Sequence, residues 1–260
     1  MAELKYGVDE RPSHGLSAAL GMQTVALIVA GIVLVPVIVL RAANGDAETT
    51  SWAIFAALAV SGVTTIVQAR PIGSIGAGYL LFMGTSGAFL AVATSAVQAG
   101  GLPLLATLVI VSSAVEFLLA ARLSVLRRIV TPTVGGTVVM LIAVAVFPIC
   151  IRMLGTVPET ADPSSFAGPI TAATTFLTVL VISLFGTPRS RLWAPLIGII
   201  VGCAVAYSVG LMSFSAVSEA PWIGLPAARW PGLDLSFDSD FFGLLPAFVI
   251  VTLILSLIHI

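Results

Sequence analysis

Three groups of residues in this chain could do chemistry, and all three lie inside long apolar runs. The first is Gln23 and Thr24, followed by Ala30 and Gly31. Seven residues are close to two helical turns, so a helix here stacks position 24 over position 31 and offers an amide, a hydroxyl and open space on one face. Such a face either receives a polar solute or hydrogen-bonds a neighbouring helix. The second group is Ile75-Gly-Ala-Gly-Tyr-Leu-Leu-Phe-Met-Gly-Thr-Ser-Gly-Ala-Phe89, with its glycines and a Thr-Ser pair. Glycine costs about 1 kcal/mol in a helix interior, so a regular lipid-facing helix gains nothing from this composition. Two readings stay open: backbone that lines a cavity near the membrane midplane, or a small-residue surface for close helix packing. The third is Glu116, an isolated carboxylate within an apolar run. An intramembrane acid can carry a proton. Arg122 lies within two turns of it, close to Arg127 and Arg128, which favours a structural ion pair or a snorkelling carboxylate.

Little else in the sequence is reactive. The two histidines, His14 and His259, stand at opposite ends, and no HExxH, GxSxG or P-loop pattern occurs. Cys150 and Cys203 have no paired spacing and read as small core residues. The one lysine, Lys5, precedes the first apolar run, which excludes a Schiff-base photoreceptor, and no basic and aromatic strip suggests nucleic acid. The chain is therefore expected to be neither an enzyme nor a metal or cofactor protein.

The elements that position these residues follow from composition. Hydrophobic residues make up 58% of the 260, charged residues 9%, and the mean hydropathy is +1.14. A soluble domain needs roughly a quarter charged residues, so the bilayer is the solvent. Because hydrocarbon cannot solvate free backbone amides, an all-α polytopic membrane protein is expected. Eight spans are predicted: Leu16–Leu40, Trp52–Gln68, Ile75–Val97, Leu102–Ala121, Val134–Leu154, Ile170–Phe185, Leu192–Met212 and Phe241 to the end. The acidic and basic residues before the first run do not make a cleavable signal peptide, so the first span is the expected insertion signal.

Charge placement gives the orientation. With the N-terminus cytoplasmic, Lys5, Arg11, Arg70, Arg122, Arg127, Arg128, Arg189 and Arg191 fall inside, and only Arg41, Arg152 and Arg229 fall outside. Asp46, Glu48, Glu159, Asp162, Glu219, Asp234, Asp238 and Asp240 all fall outside. The excess of basic residues on one side predicts a multi-pass protein of the cell (inner or plasma) membrane with a cytoplasmic N-terminus.

Five stretches, in order, resemble the nucleobase-ascorbate transporter family in its bacterial uracil and xanthine permease branch. They are Gly21-Met-Gln-Thr24 with Val35-Pro36; Leu81-Phe-Met-Gly-Thr-Ser-Gly-Ala-Phe89; Leu126 to Thr137 with Val138 to Ile142; Pro195 to Gly202; and Leu245-Pro-Ala-Phe-Val-Ile-Val251. The resemblance implies two inverted seven-span repeats divided into a core and a gate, of which this chain supplies the first repeat and the start of span eight. Residues 1–15 would be a cytoplasmic segment, 16–121 core spans one to four, 122–212 gate spans five to seven, 213–240 an extracytoplasmic loop and 241–260 a shortened span eight. Span three would begin as a short strand and continue as a half-helix.

By the same resemblance the base would meet Gln23, Thr24 and Gly31 from span one and Thr85, Ser86, Gly87 and Phe89 from span three. Two departures bear on substrate identity: the family's usual Gln-His pair is Gln23-Thr24 here, and an aromatic common after the turn is Gly87. The implied activity is symport of a nucleobase such as uracil or xanthine with H+ or Na+, with no cofactor and with a homodimer as the family's assembly. An anion transporter of the same fold, carrying sulfate or bicarbonate, and a non-transporting membrane scaffold are the alternatives.

The last six residues, Leu255-Ser-Leu-Ile-His-Ile260, resemble what a transposon adapter used in library preparation encodes in one frame. The natural sequence is accordingly expected to end near Ile254, with span eight cut short and His259 not a ligand. A chain lacking the second repeat is expected not to transport.

Overall fold

A computed structural model of the chain describes residues 12–73, 75–120, 131–154, 166–215, 217, 224 and 234–258. The basic loop with Arg122, Arg127 and Arg128, the acidic residues Glu159, Asp162 and Glu219, and His259 lie outside the described residues. Among the described residues seven α-helices follow one another: α1 (His14–Ala42), α2 (Ala47–Ala69), α3 (Leu90–Ala120), α4 (Pro132–Leu154), α5 (Ala167–Phe185), α6 (Pro188–Ser208) and α7 (Ser239–Ile258). Apolar runs create them, and short polar caps end them. Ser13, Asp46 and Thr187 each accept from a backbone N–H of the first turn, where helical partners are lacking. Large apolar side chains such as Phe117, Phe176 and Phe185 point outward, as lipid-facing positions do.

One element departs from a simple span. Within α3 the backbone leaves helical geometry at Gly100 (φ −136°, ψ 15°) and Gly101 (φ 71°, ψ −164°). The second pair of angles belongs to a region that essentially only glycine enters. With Pro103 suited to the first turn of a new helix, the pair makes an elbow between two rods, 90–99 and 102–120. The expected third and fourth spans are therefore distinct, as the sequence predicted. At 1.5 Å per residue the first rod is about 15 Å long, roughly half a hydrocarbon core of about 30 Å. With the elbow at a membrane surface, its beginning would reach mid-depth.

The short rod is the hub of the packing. Leu90, Ala93 and Val97 bury against Ile38 and Val39 of α1. Ala96 joins Leu104, Leu108, Phe241 and Phe248 in a second cluster that seats α7 on α3. The chain before α7 is tied down as well: the N–H of Ser236 donates to the buried Thr107 hydroxyl at 2.9 Å, and Thr107 donates to the carbonyl of Pro103 at 2.8 Å. Away from this group, α5 and α6 pair closely. Side chains at Gly198 or Gly202 would strike Val179 or Thr175 of α5, so the small-xxx-small spacing lets the two backbones approach.

Candidate functional site

The described part of the glycine-rich stretch after α2 is turn and irregular chain rather than helix up to Ser86. Arg70 ends α2 and Pro71 prevents its continuation. Ile72 and Ile75 then exchange N–H···O bonds of 2.9 and 3.2 Å across a tight turn. Gly76 is required there: its φ is +110°, and a Cβ would collide with the carbonyl of Val67. Gln68 holds the far side, its side-chain oxygen accepting from Ala77 N at 2.9 Å and its carbonyl from Gly78 N at 3.0 Å. A strand was expected at the start of span three; the segment pairs with no strand among the described residues, and a ladder needs a second chain segment beside it.

Side chains of two helices take the place of that ladder. On α2, Thr65 Oγ1 accepts from Met83 N at 3.0 Å, and Ser61 Oγ donates to the carbonyl of Met83. On α1, the carbonyls of Gly31 and Ile32 accept from Thr85 Oγ1 at 3.2 and 3.1 Å. The second contact has a local cause. The carbonyl of Ile32 would normally accept from the N–H four residues on, but that residue is Pro36, which has none. The Thr85 hydroxyl supplies the missing donor, so a proline in one span fixes the turn of another.

Beyond Thr85 the chain enters the short rod through a 3-10 turn, Gly87–Phe89. Ser86 caps it, with Oγ accepting from Ala88 N at 3.3 Å and its carbonyl accepting from Phe89 N at 3.1 Å. The N–H groups of Thr85, Ser86 and Gly87 have no partner among the described residues. They stand at a helix N-terminus, where aligned peptide dipoles leave about half a positive charge. Unpaired donors and that partial charge suit a solute with carbonyl oxygens.

Two cavities meet at this turn. One, of about 470 Å³, is lined by Leu27, Ile28 and Gly31 of α1 and by residues 82–87. The other, of about 510 Å³, is lined by Met83 to Ser86 and Phe89 and, from the second rod of α3, by Ser112, Ser113 and Glu116, with Thr252 and Ser256 of α7. Gly31, Thr85, Ser86 and Gly87 thus come together, and Thr85, Ser86 and Phe89 share the second cavity. Gln23 and Thr24 line neither; the Thr24 hydroxyl donates to Leu20 O of its own helix at 2.8 Å. The ring of Phe89 faces Phe248 with centroids 6.0 Å apart, so it also serves the seating of α7.

The Glu116 carboxylate lines the cavity of Thr85 and Ser86 and accepts from Ser256 Oγ. The arginines with which the sequence suggests an ion pair, Arg122, Arg127 and Arg128, lie outside the described residues, and Ser112 and Ser113 are not among the sequence-based candidates. The signal was present, since positions 109, 112, 113 and 116 share one helical face. Their facing the Thr85 turn depends on how α3 folds back at Gly100 and Gly101.

Comparison with known proteins bears on what such a cavity serves. Residues 16–260 match the model of a permease family, the xanthine and uracil permeases. The chain belongs to the nucleobase permease family. Among curated members, this chain is 30% identical over 251 residues, 96% of its length, to a Clostridium perfringens protein named provisionally as a purine permease. It is 31% identical over 215 residues to the uric acid permease PucJ of Bacillus subtilis, covering 80% of this chain. It is 26% identical over 249 residues to the xanthine permease XanQ of Escherichia coli, covering 91%. These alignments take in 55%, 47% and 53% of the relatives, so the chain spans about half their length. The relatives are transporters rather than enzymes, and the apolar helices make this chain a multi-pass membrane protein.

Proposed function

We propose that the protein is a secondary active permease for a nucleobase, with xanthine, uric acid and uracil as the candidate substrates and H+ or Na+ as the coupling ion. The observation that carries this reading is the Thr85–Gly87 turn: unpaired N–H donors at a helix start, opening on a cavity whose wall includes Glu116. A carboxylate accepts hydrogen bonds from the ring N–H groups of a base, and the amide donors match its carbonyl oxygens. The same carboxylate repels sulfate or bicarbonate. Gly31, Thr85, Ser86, Gly87 and Phe89 are the proposed site residues; Gln23 and Thr24 would join them only in a conformation that brings the lower part of α1 to the cavity.

The division into core (16–121) and gate (122–212) is part of the proposal. It is supported by the burial of α1 and α7 against α3 and by the separate pairing of α5 with α6. The cytoplasmic N-terminus rests on the charge bias of the loops, and a homodimer on the family resemblance. Uptake of labelled xanthine, uric acid and uracil should be measured in cells expressing the gene as it stands in its genome. Saturable uptake of at least one base, driven by a proton or sodium gradient, is the expected result. Transport of sulfate or bicarbonate with no uptake of any purine or pyrimidine would refute it.

A further inference from the structure

We propose that the C-terminal ends of α1 and α4, together with the end of the short rod of α3, form a binding site for the phosphodiester headgroup of an anionic phospholipid. A cavity of about 390 Å³ lies there, and Arg41 and Arg152 both line it. They arrive from the last turns of two helices far apart in sequence. Neither guanidinium has a hydrogen bond or ion pair among the described residues. Arg191 shows what an arginine does when its role is structural: its Nε donates to Gly186 O at 3.0 Å and its Nη2 to Leu184 O at 3.1 Å. Two cations on one small cavity repel each other unless an anion lies between them. The partial negative charge at the two helix ends offsets only part of that repulsion.

The same cavity holds a second unmet polar group. Thr94 is 9% exposed, and its Oγ1 has no hydrogen-bond partner. Gln98 lies one turn further along the rod and also lines the space. The nearest described acid after α1, Asp46, is committed to the N–H of Thr49 at 2.7 Å. Glu159 and Asp162 lie outside the described residues.

Depth and wall select the source of the anion. At 1.5 Å per residue the 29 residues of α1 and 23 of α4 span about 43 and 34 Å, more than the hydrocarbon of about 30 Å, so their last turns reach the headgroup layer. One turn below the arginines the wall is Ile38 and Ile149. Guanidinium above and apolar surface below fit an amphiphile, whereas a soluble oxyanion would use only the upper half.

The test does not depend on the transport reading. The purified chain in neutral maltoside micelles is titrated with phosphatidylglycerol, phosphatidylcholine or inorganic phosphate while its thermal midpoint is followed. Phosphatidylglycerol at ten times its dissociation constant should raise the midpoint by about 3 to 6 °C, with phosphatidylcholine and phosphate giving less than a third of that. The double variant Arg41→Gln, Arg152→Gln should lose the rise, and Arg41→Lys, Arg152→Lys should keep part of it. If the glutamine pair does not fold, Arg152→Gln alone must weaken the apparent affinity for phosphatidylglycerol at least threefold. An equal response to phosphatidylcholine, a full response to inorganic phosphate, or an undiminished response in the glutamine variants overturns the proposal.

Discussion

Replacing Thr85 by valine keeps the shape of the side chain and removes the one donor that reaches the carbonyl of Ile32. Hydrogen bonds between membrane helices average about 0.6 kcal/mol and reach about 1.7. This one should lie in the upper part of that range, because Pro36 leaves Ile32 O without its helical donor and an unmet buried carbonyl costs about 1 to 3 kcal/mol. Thr85→Val is therefore expected to destabilise the protein by about 1 to 2 kcal/mol, measured by unfolding in mixed micelles. Thr85→Ser, which keeps the hydroxyl, should cost less than half as much. The decisive arm is Pro36→Ala. An alanine restores the N–H at position 36 and lets Ile32 O bond within its own helix, so in that background Thr85→Val should cost under about 0.5 kcal/mol. A coupling of about 1 kcal/mol between the two positions follows. Equal losses in the two backgrounds would refute the reasoning, since the hydroxyl would then not be substituting for the missing amide.

Other expectations are briefer. Gly101→Ala should cost about 1 to 3 kcal/mol because its backbone angles exclude a side chain, whereas Gly21→Ala, whose Cβ would meet nothing within 4 Å, should be neutral or stabilising; thermal midpoints separate the two. The Asp238 carboxyl is held below its ordinary range by the N–H of Phe241 and then by the Ser236 hydroxyl, and that of Asp46 by Thr49. A depressed folded-state value means that this stabilisation is present above the ordinary carboxylate range and is lost as pH falls through the lower folded value. The stability gap between wild type and Asp46→Asn or Asp238→Asn should shrink on acidification through that window, and a gap constant with pH would contradict it. If Glu116 accepts from a base N–H, Glu116→Gln should reduce apparent affinity by roughly tenfold to a hundredfold, the range of a charge-assisted hydrogen bond. An unchanged KM and pH profile of uptake would remove Glu116 from the site.

The sequence made the spans legible because a bilayer imposes one rule on every apolar run. Leu16–Leu40 lies within His14–Ala42, and Trp52–Gln68 within Ala47–Ala69. The helices run longer because polar caps such as Ser13 and Asp46 continue them past the hydrocarbon. Four glycines in the third run announced irregular backbone, and the break at Gly100 and Gly101 fell in the gap left between two runs. The contacts across the fold were not legible. Thr85 meets Ile32 across 53 positions, a meeting that becomes apparent only when the missing amide of Pro36 is counted. That Glu116 shares a cavity with Thr85 depends on the fold of α3, which nothing in the sequence spacing reveals. Arg41 and Arg152 read as separate loop charges, since nothing in the sequence brings the ends of α1 and α4 together.

The two-residue elbow in α3 has a mechanical side. One arm carries the Thr85–Gly87 turn at its tip, and the other carries Glu116. The joint has no slack: a Cβ at Gly100 would lie 2.7 Å from Leu104, and Thr107 anchors the second arm to the segment before α7. The elbow therefore sets the angle between the two arms rather than leaving it free. The amide donors at one tip and the carboxylate on the other arm are thereby held at a fixed spacing across the cavity that both line.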